Sequence, residues 1–330
     1  MRVLMVTQVG VRSSDAGLLL AQALQRLGCT VQIIPMGEDL PLWISLGTSR
    51  VRGRDPIFRA SFGRYLFQQA AQMEADLVFL YGSNWCVSPG TIRRLRRKLN
   101  AKVILWELNY RLWRGYQAES VPIYDHLFSL DSYLVPVLRA AGARHVHHLP
   151  ACADPEEHYP ATLTAAEMAR YAAEICFIGR ADPERIAMLG QLTHRDLQVY
   201  GVGWRQVGED LARRVSEEPV YGLKKTKIYA ASKISINVHR PHMIHGENFR
   251  VFEVAACGGV SFSAYKPDLV ACFEPEQEVV IFESAQELRR KVDHYLDRPD
   301  ELAQISRAGR ARVLAEHTYD HRARTILECV

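Results

Sequence analysis

The chain has 330 residues, 48% of them hydrophobic and 24% charged, with 41 lysines and arginines against 37 carboxylates. This length exceeds that of one ordinary core and suggests two domains, and the composition excludes a disordered or low-complexity protein. The net charge of +4 is too small to indicate nucleic acid as a partner.

From the first residue onward, short apolar runs alternate with amphipathic ones, which predicts an α/β fold. The strands expected in the first half span residues 3–7, 30–35, 76–81, 102–106, 126–129 and 145–149. The helices expected there span residues 15–27, 62–73, 89–99 and 133–141. Residues 150–164 then break the pattern with three prolines and several turn formers, as an interdomain linker does.

A second alternating set follows the linker. Strands are expected at residues 174–178, 197–200, 233–239 and 279–282, with another opening at Val260. Helices are expected at residues 185–192, 249–257, 285–296 and 299–316, and a further ordered run at 226–231. Two successive sets of this kind predict two Rossmann-like, doubly wound parallel sheets that face a central cleft.

The most informative segment is residues 233–263. Asn248 is a good N-cap for the helix expected after it, and Gly258-Gly259 ends that helix. This layout directs a helix N-terminus at the carboxyl end of a strand, where backbone N–H groups and the helix dipole favour an anion. Arg240 and Arg250 supply cations for phosphates, and a nearby carboxylate supplies an acceptor for sugar hydroxyls. The segment therefore indicates a nucleotide-sugar site.

A second cationic turn follows the strand at residues 174–178. Gly179 lets a phosphate approach the backbone, while Arg180 and Arg185 neutralise it. Because loops after neighbouring parallel strands converge on one crevice, we expect this turn to join the first anion site. The alternative is that both arginines form surface ion pairs with Asp182 or Glu184.

Glu253 is the carboxylate of the site, and it too has two interpretations. Arg250 lies three residues before it, so the two side chains have the spacing of an ion pair on a solvent-exposed helix face. The flanking residues are apolar, however, and a carboxylate in such a helix needs a specific partner. A ribose diol fits, because one carboxylate can accept from both hydroxyls.

Three histidines, His239, His242 and His245, lie close together and raise the question of zinc. They fall on an irregular loop without a cysteine or carboxylate set at ligand spacing. The chain also lacks an Asp-x-Asp pair that would hold a divalent metal against a diphosphate. We therefore expect no metal and no cofactor, with cationic side chains stabilising the departing phosphate.

Polar loops also follow the strands expected in the first half. These loops lie at strand carboxyl ends and are expected to contact the acceptor and, through Gly10, the donor. The candidate acceptor residues are Asn84, Trp85 and Asn109.

Arginine is concentrated in two stretches, residues 50–64 and residues 93–98. The second is typical of the solvated face of a crossover helix. The alternative is attraction to an anionic acceptor or to a membrane surface.

The seven cysteines are scattered, and none forms a Cys-x-x-Cys pair, as expected of thiols in a reducing compartment. Met1-Arg2 leads directly into the first expected strand and leaves no room for a signal peptide. No apolar run approaches membrane-spanning length. We therefore expect a cytoplasmic protein.

The run at residues 246–282, together with GRARVLAEHTYDHRA further on, resembles the CgeB-like spore-maturation glycosyltransferases. These group with the family-1 and family-4-like glycosyltransferases of GT-B fold. The resemblance covers residues 175–327 well, whereas the first half agrees in strand–helix order and in its lead-in to the linker. It implies an acceptor-side domain at residues 1–152, a nucleotide-sugar domain at 165–316, and a segment at 317–330 that returns as a helix to the first domain.

The resemblance also implies roles for residues. Related retaining enzymes have a Glu-x7-Glu motif, with one carboxylate near the donor sugar and the other on the ribose. Glu253 matches the second position, while His245 stands at the first and Glu247 follows two residues later, so both are catalytic candidates. An inverting enzyme would instead take a base from the first domain, with Asp15 or Glu107 as candidates. The donor-binding candidates are Gly10, Gly179, Arg180, Arg185, His239, Arg240, Asn248, Phe249, Arg250 and Glu253.

The expected function is a metal-independent glycosyltransferase that takes a nucleotide-diphosphate sugar, UDP-sugar favoured, by a retaining mechanism. Its acceptor is unidentified, and we expect a monomer or homodimer with no nucleic-acid partner and, at most, peripheral membrane contact. One alternative is a catalytically silent nucleotide-binding or assembly protein on the same fold. Another is a nucleotide-sugar epimerase or phosphorylase, which would turn over without an external acceptor.

Overall fold

The structure is a computed structural model that describes residues 1–7, 16–35, 56–82, 86–108 and 119–330. The chain forms two compact units. Unit 1 comprises Met1–Pro150, His242–Gly246 and Tyr319–Val330, and unit 2 comprises Ala151–Pro241 and Glu247–Thr318. The chain therefore passes from one unit to the other at four points in its sequence.

The sheet of unit 1 contains six parallel strands in the order β2-β1-β3-β4-β5-β6. They are β1 (Arg2–Thr7), β2 (Thr30–Pro35), β3 (Leu77–Tyr81), β4 (Lys102–Glu107), β5 (His126–Ser129) and β6 (Val146–His148). Val3 of β1 pairs with Val31 on one side and with Leu77 on the other, which sets the register at the centre of the sheet. All five residues of β3 are buried, as expected of a parallel strand covered on both faces.

Helices cross over between these strands. They are α1 (Ala16–Arg26), α2 (Pro56–Met73), α3 (Pro89–Leu99) and α4 (Leu134–Ala140), with a 3₁₀ turn at Val121–Ile123. Sequence fixes both ends of α3, because the Ser88 side chain accepts from Thr91 N at 3.1 Å and Asn100 takes a left-handed conformation at φ 53°. Helix α2 begins six residues before the predicted start at residue 62. Pro56 explains the earlier start, since its fixed φ suits the first helical turn.

The last helix of the chain, α13 (Tyr319–Cys329), belongs to unit 1, where it packs against α1. Arg26 of α1 pairs with Asp320 at 2.7 Å. Arg322 donates through Nε to the carbonyl oxygen of Pro150 at 2.7 Å. On its apolar face, Ala323 and Ile326 are fully buried. These contacts make α13 a structural part of the first unit.

The sheet of unit 2 also has six parallel strands, in the order β12-β11-β10-β7-β8-β9. They are β7 (Ala173–Ile178), β8 (Leu197–Tyr200), β9 (Val215–Ser216), β10 (Ser232–Asn237), β11 (Val260–Ala264) and β12 (Val280–Phe282). Ile234 of the central strand β10 pairs with Ile175 and Val260 on its two sides. Together the two sheets confirm the predicted α/β fold.

Helices cover both faces of this second sheet. They are α5 (Ala165–Tyr171), α6 (Pro183–Gly190), α7 (Glu209–Ala212), α8 (Gly222–Ala231), α9 (Phe249–Ala256), α10 (Pro267–Cys272), α11 (Ala285–Leu296) and α12 (Pro299–Glu316). One buried cluster includes Phe177 and Phe262, and a second, on other strand and helix residues, includes Cys176 and Val254. Alternate residues of β7 thus contribute to both clusters, as the two-residue repeat of a strand requires. In the described part of the chain, no helix is long and apolar enough to cross a membrane.

Candidate functional site

The candidate site lies in unit 2, where β7, β8, β10 and β11 end and α9 begins. The turn Gly179-Arg180 follows β7, and Gly201 follows β8. His239 and Arg240 come shortly after β10. In a parallel sheet these carboxyl ends lie at one edge, which is where open α/β sheets bind ligands.

Helix α9 presents its N-terminus at this edge. Its N-cap is Asn248, as predicted, and the Oδ1 atom accepts from Arg250 N at 3.0 Å. The helix is held by its apolar residues, among which Val251, Phe252 and Val254 are completely buried. Its first-turn N–H groups and its dipole therefore form a rigid site that favours negative charge.

Arg250 extends from the first turn of α9 and is fixed in place by two neighbours. Its Nη1 atom donates to Asn237 Oδ1 at 2.6 Å, and its guanidinium carbon lies 5.5 Å from the centroid of the Phe177 ring. The Gly179 turn is close enough that a Cβ there would lie 3.3 Å from Arg250 Nη2. The guanidinium thus lies beside the turn after β7, and it has no carboxylate ion-pair partner among the described residues.

A buried polar network supports this arrangement. Asn237 donates through Nδ2 to Ser263 Oγ at 2.9 Å, and Asn248 Nδ2 donates to Asn237 Oδ1 at 2.9 Å. Asn248 Nδ2 also donates to His239 Nδ1 at 3.1 Å, so the histidine proton is on Nε2, which donates to Ser263 Oγ at 3.2 Å. Burial, followed by the charges of Lys266 and Arg250, lowers the pKa of His239 to about 3. The network is therefore neutral and fixes the side chains at the mouth of α9.

Arg185 is buried and connects the ends of two strands. Its Nη2 atom donates to the carbonyl oxygen of Val238 at 2.8 Å, and its Nη1 atom donates to that of Arg180 at 2.9 Å. The alternative of surface ion pairs holds only in part: Arg185 Nε lies 3.1 Å from Asp182 Oδ2, but Arg185 is buried, and Arg180 forms no ion pair within the described ranges. Burial and the nearby charge of Arg250 lower the pKa of Arg185 to about 10, so it remains cationic at neutral pH.

The four arginines at this edge carry more positive charge than the protein neutralises. Arg180 and Arg240 are exposed. Arg250 and Arg240 lie close enough to Arg185 that their charges add to the effect of burial and lower its pKa further. Within the described ranges, Asp182 is the one carboxylate that forms an ion pair with any member of this group. The surplus of cations, next to a helix N-terminus, is the electrostatic signature of an anion site.

Glu253 has partners on this chain that its sequence position did not reveal. Oε1 accepts from Lys225 Nζ at 2.8 Å, and His158 Nε2 lies 3.7 Å away. The predicted alternative of an Arg250–Glu253 pair is wrong, because Arg250 bonds Asn237 instead. Burial favours a raised pKa for the Glu253 carboxyl, but Lys225 and then His158 outweigh it and hold the pKa below its ordinary value. Glu253 is thus an ionised carboxylate at the end of a partly buried charge pair.

The loops after β7 and β8 touch, and glycine makes the contact feasible. Gly201 has φ of +138°, and a Cβ on it would lie 2.1 Å from Gly179 O. The same carbonyl oxygen accepts from Trp204 Nε1 at 3.0 Å, and the indole packs edge-on against Phe177 with 5.7 Å between centroids. Two glycine turns and a buried tryptophan therefore hold the carboxyl ends of β7 and β8 against each other.

The two catalytic candidates of the 240–248 loop lie in different units. His245 belongs to unit 1, where its Nδ1 atom is 3.2 Å from Ser132 Oγ and its ring meets Tyr133 edge-on. Its backbone N–H donates to Asp131 at 3.1 Å. Glu247 belongs to unit 2, is fully buried, and accepts from Ala151 N at 3.1 Å. In the structure Glu247 therefore anchors the first residue of unit 2.

The remaining candidates are less informative. Phe249 is the first residue of α9 and is partly exposed. Glu107 ends β4 in unit 1 and is buried. His242 lies in the segment that belongs to unit 1. Five predicted residues lie outside the described residues: Gly10, Asp15, Asn84, Trp85 and Asn109.

Four residues of the site were missed by reasoning from the sequence: His158, Lys225, Asn237 and Ser263. Lys225 and His158 had no usable signal, because they lie on separate segments that reach Glu253 through tertiary structure. Asn237 and Ser263 did carry one, since each is a polar residue at the end of a buried parallel strand. In the part of the chain that the structure describes, no three His, Cys, Asp or Glu side chains converge as a metal ion requires.

Comparison with known proteins classes the chain. Residues 184–328 match the model of a family described as glycosyl transferase-like. No curated protein matches the sequence. Many solved structures match this chain, and the three described next share its fold over 99% of its length at identities that establish the fold alone.

Three of these structures illustrate the likeness. A glycosyltransferase from Rickettsia africae has a TM-score of 0.70 at 15% identity, with 99% of this chain and 97% of that chain covered. Sucrose-phosphate synthase from Thermosynechococcus elongatus has a TM-score of 0.72 at 15% identity and the same coverage. HepE from Anabaena, solved in complex with UDP and glucose, has a TM-score of 0.69 at 11% identity, with 99% and 98% covered. The family match and the shared GT-B fold class the chain as a glycosyltransferase.

Proposed function

We propose that this glycosyltransferase transfers a sugar from a nucleotide-diphosphate donor, with UDP as the nucleotide, to an acceptor that is still unidentified. The observation that carries the proposal is the surplus of arginine charge at the N-terminus of α9. A diphosphate is the ligand whose charge and size suit that surplus. Structural neighbours solved with UDP and with UDP-sugars support the choice of nucleotide.

The donor-binding roles follow from the contacts. We assign the diphosphate to Arg180, Arg240, Arg250 and the first-turn N–H groups of α9, with Arg185 holding the ends of β7 and β10 in place. We assign the ribose hydroxyls to Glu253, whose ionised carboxylate is an acceptor in an otherwise cationic surrounding. The resemblance to CgeB-like proteins agrees with this division of roles.

We favour a retaining reaction. The bond between the anomeric carbon and the diphosphate oxygen breaks, the acceptor oxygen forms a new bond on the same face, and the departing phosphate takes the acceptor proton. The arginines and the helix N-terminus stabilise the charge that develops on the leaving diphosphate, so this proposal needs neither metal nor cofactor. For an inverting reaction the base would come from unit 1, where Glu107 and Asp15 are the candidates.

The proposed setting is the cytoplasm, with the protein as a monomer or homodimer. None of the seven cysteines forms a disulfide, which suits a reducing compartment.

Binding of UDP, GDP and ADP, measured by calorimetry with and without EDTA, tests the proposal. We expect UDP to bind, EDTA to leave its affinity unchanged, and Arg250→Ala to weaken it by about 10- to 100-fold, the usual loss for a hydrogen bond to a charged group. Arg289→Ala is the matched control, because Arg289 is an exposed arginine of α11, on a different helix of unit 2. If no nucleotide diphosphate binds, or if both variants weaken binding equally, the proposal fails.

A catalytically silent nucleotide-binding protein remains the second candidate. The observation that favours it is the burial of Glu247 against Ala151, which gives this carboxylate a structural role. A sensitive assay for release of UDP from UDP-sugars separates the two, since slow donor hydrolysis is expected of a transferase and none of a silent protein. Conversion of the UDP-sugar to a different UDP-sugar would instead indicate an epimerase, and formation of a sugar phosphate on addition of phosphate would indicate a phosphorylase.

A further inference from the structure

Two adjacent helices of unit 1 carry an unusual share of the positive charge of the chain. Helices α2 and α3 contain seven lysines and arginines and no carboxylate. Removing these seven from the chain's 41 basic residues leaves 34 against 37 acidic ones, so the remainder of the chain is slightly acidic. The net positive charge of the protein is therefore carried by these two helices.

The cations point outward because the apolar residues of both helices point inward. Phe58, Phe62 and Leu66 of α2 are buried in the core of unit 1, as are Ile92 and Leu95 of α3. The exposed cations are Arg64, Arg93, Arg94, Arg97 and Lys98. We call these five residues, together with the exposed Ile57, the basic face. The helices are joined within it, since the Arg94 guanidinium carbon stacks 3.8 Å from the centroid of the Phe67 ring.

This charge is not neutralised by the protein. Arg96 of α3 forms an ion pair with Asp125 at 2.7 Å. By contrast, none of the five exposed cations forms an ion pair within the described ranges. Arg93 and Arg97 are four residues apart, as are Arg94 and Lys98, so each pair repels along the helix. The helix dipole favours cations in the last turn of α3, which accounts for Arg97 and Lys98 but not for the others.

The composition of the face selects an anionic membrane surface over nucleic acid. Ile57 is 76% exposed on the first turn of α2, in line with the outward-facing Ala60 and Arg64. Exposed aliphatic residues beside cations suit insertion between lipid headgroups. Proteins that bind single-stranded nucleic acid combine cations with exposed aromatic rings, whereas Tyr65 and Phe67 of α2 are packed against the core.

We propose that the basic face binds the anionic headgroups of a phospholipid bilayer. The charge of the face and that of an acidic leaflet are complementary, and each lysine or arginine held near such a surface strengthens binding by roughly fivefold. Ile57 adds a small apolar contact. The interaction is electrostatic in the main, so it weakens as salt shortens the screening length. Binding of the basic face to a bilayer does not depend on which sugar donor the protein uses.

Sedimentation with vesicles tests the proposal on the 330-residue chain. One set of vesicles is phosphatidylcholine alone, and the other contains about one-third phosphatidylglycerol to give an anionic surface. We expect binding to the anionic vesicles, little to the neutral ones, and release at about 0.5 M salt. Replacing Arg93→Glu together with Arg97→Glu is expected to weaken binding by at least about 20-fold, given the contribution of each cation.

The matched control replaces Arg289→Glu together with Arg290→Glu. Both residues are exposed on α11, so the change in net charge is the same but falls on a helix of unit 2 that is not part of the basic face. Thermal unfolding of both variants checks that they fold, and Arg93→Gln with Arg97→Gln serves if the reversal does not. Loss of binding in the first variant and retention in the control supports the proposal.

Three results would overturn it. The first is that the wild type binds neither kind of vesicle. The second is that the two charge reversals weaken binding equally, and the third is that the Arg93 and Arg97 variant binds as well as the wild type. A labelled single-stranded oligonucleotide is tested alongside. If the protein binds the oligonucleotide tightly and does not bind anionic vesicles, the partner is nucleic acid and the bilayer is excluded.

Discussion

His239 is a buried histidine whose proton position follows from its neighbours. Asn248 donates to Nδ1, which leaves the proton on Nε2 for Ser263. Protonation of the ring would add an N–H at Nδ1, opposite the Nδ2 group of Asn248. That group is itself a donor and cannot accept a hydrogen bond. The site therefore depends on a neutral imidazole, and that dependence has a measurable consequence.

The stability of the protein is expected to fall on mild acidification because of His239. Burial, with the charges of Lys266 and Arg250, holds its pKa at about 3 in the folded state, against 6.5 for an ordinary histidine. Between these values the unfolded chain binds a proton that the folded chain does not, so the free energy of unfolding decreases as pH falls below 6.5. From pH 7.5 to pH 5.5 this contribution is about 1.4 kcal/mol.

Urea unfolding of the wild type and of His239→Gln at both pH values checks this. Glutamine cannot titrate, so the variant is expected to lose about 1.4 kcal/mol less than the wild type over the interval, whatever its own starting stability. Equal losses in the two proteins would show that His239 takes up its proton in the folded state as readily as in the unfolded one.

At the scale of elements, the sequence predicts the regular structure well where two signals agree. Helices α11 and α12 begin and end at the predicted residues, because a capping serine or an N-terminal proline coincides with helical periodicity. The strand ends and the helix N-terminus on which the predicted site was based also meet at one edge of the second sheet, as parallel strands require. The partners of Glu253 were not predictable. Lys225 is 28 residues away on another helix, and only the packing of α8 beside α9 brings it near.

The turn after β8 is the element whose local geometry is most restrictive. We expect Gly201→Ala to destabilise the protein by about 2 kcal/mol or more, because its Cβ would overlap the Gly179 carbonyl and its φ is unfavourable for alanine. Displacement of Gly179 should weaken UDP binding as well. Thermal unfolding and calorimetry measure the two effects.

Gly190→Ala is the control for this turn. Gly190 ends α6, and a Cβ there meets no atom within 4 Å. Because alanine is the better helix former, we expect this variant to be neutral or more stable by up to about 1 kcal/mol, with UDP affinity unchanged. If Gly201→Ala matches Gly190→Ala in both stability and UDP affinity, the contact between the β7 and β8 turns does not require glycine at residue 201.

At the scale of the whole molecule, each unit is assembled from separate stretches of the chain. Helix α13 illustrates this, because it follows all of unit 2 in sequence yet packs on α1 of unit 1. Its fully buried Ile326 is the natural residue to probe. Ile326→Ala is expected to cost about 2 to 5 kcal/mol, the usual range for truncating a buried isoleucine.

The effect should be confined to unit 1. Hydrogen exchange is expected to speed up in α1 and β1 but not in β10. Ile305→Ala in α12 is the matched control, since Ile305 is a buried isoleucine of unit 2 and should give the opposite distribution. Equal acceleration in both units by either variant would mean that the units unfold together.

The return of α13 to unit 1 also bears on the order in which the protein is made. A ribosome releases residues 1–150 first, yet the helix that closes the core of that unit emerges after residues 151–318. Unit 2, by contrast, contains all its strands once residue 282 is out. Domains commonly fold in the order of their synthesis. Here unit 1 begins to be translated first but is completed last, because it needs α13. Until α13 has been made, the face of α1 against which it packs remains uncovered.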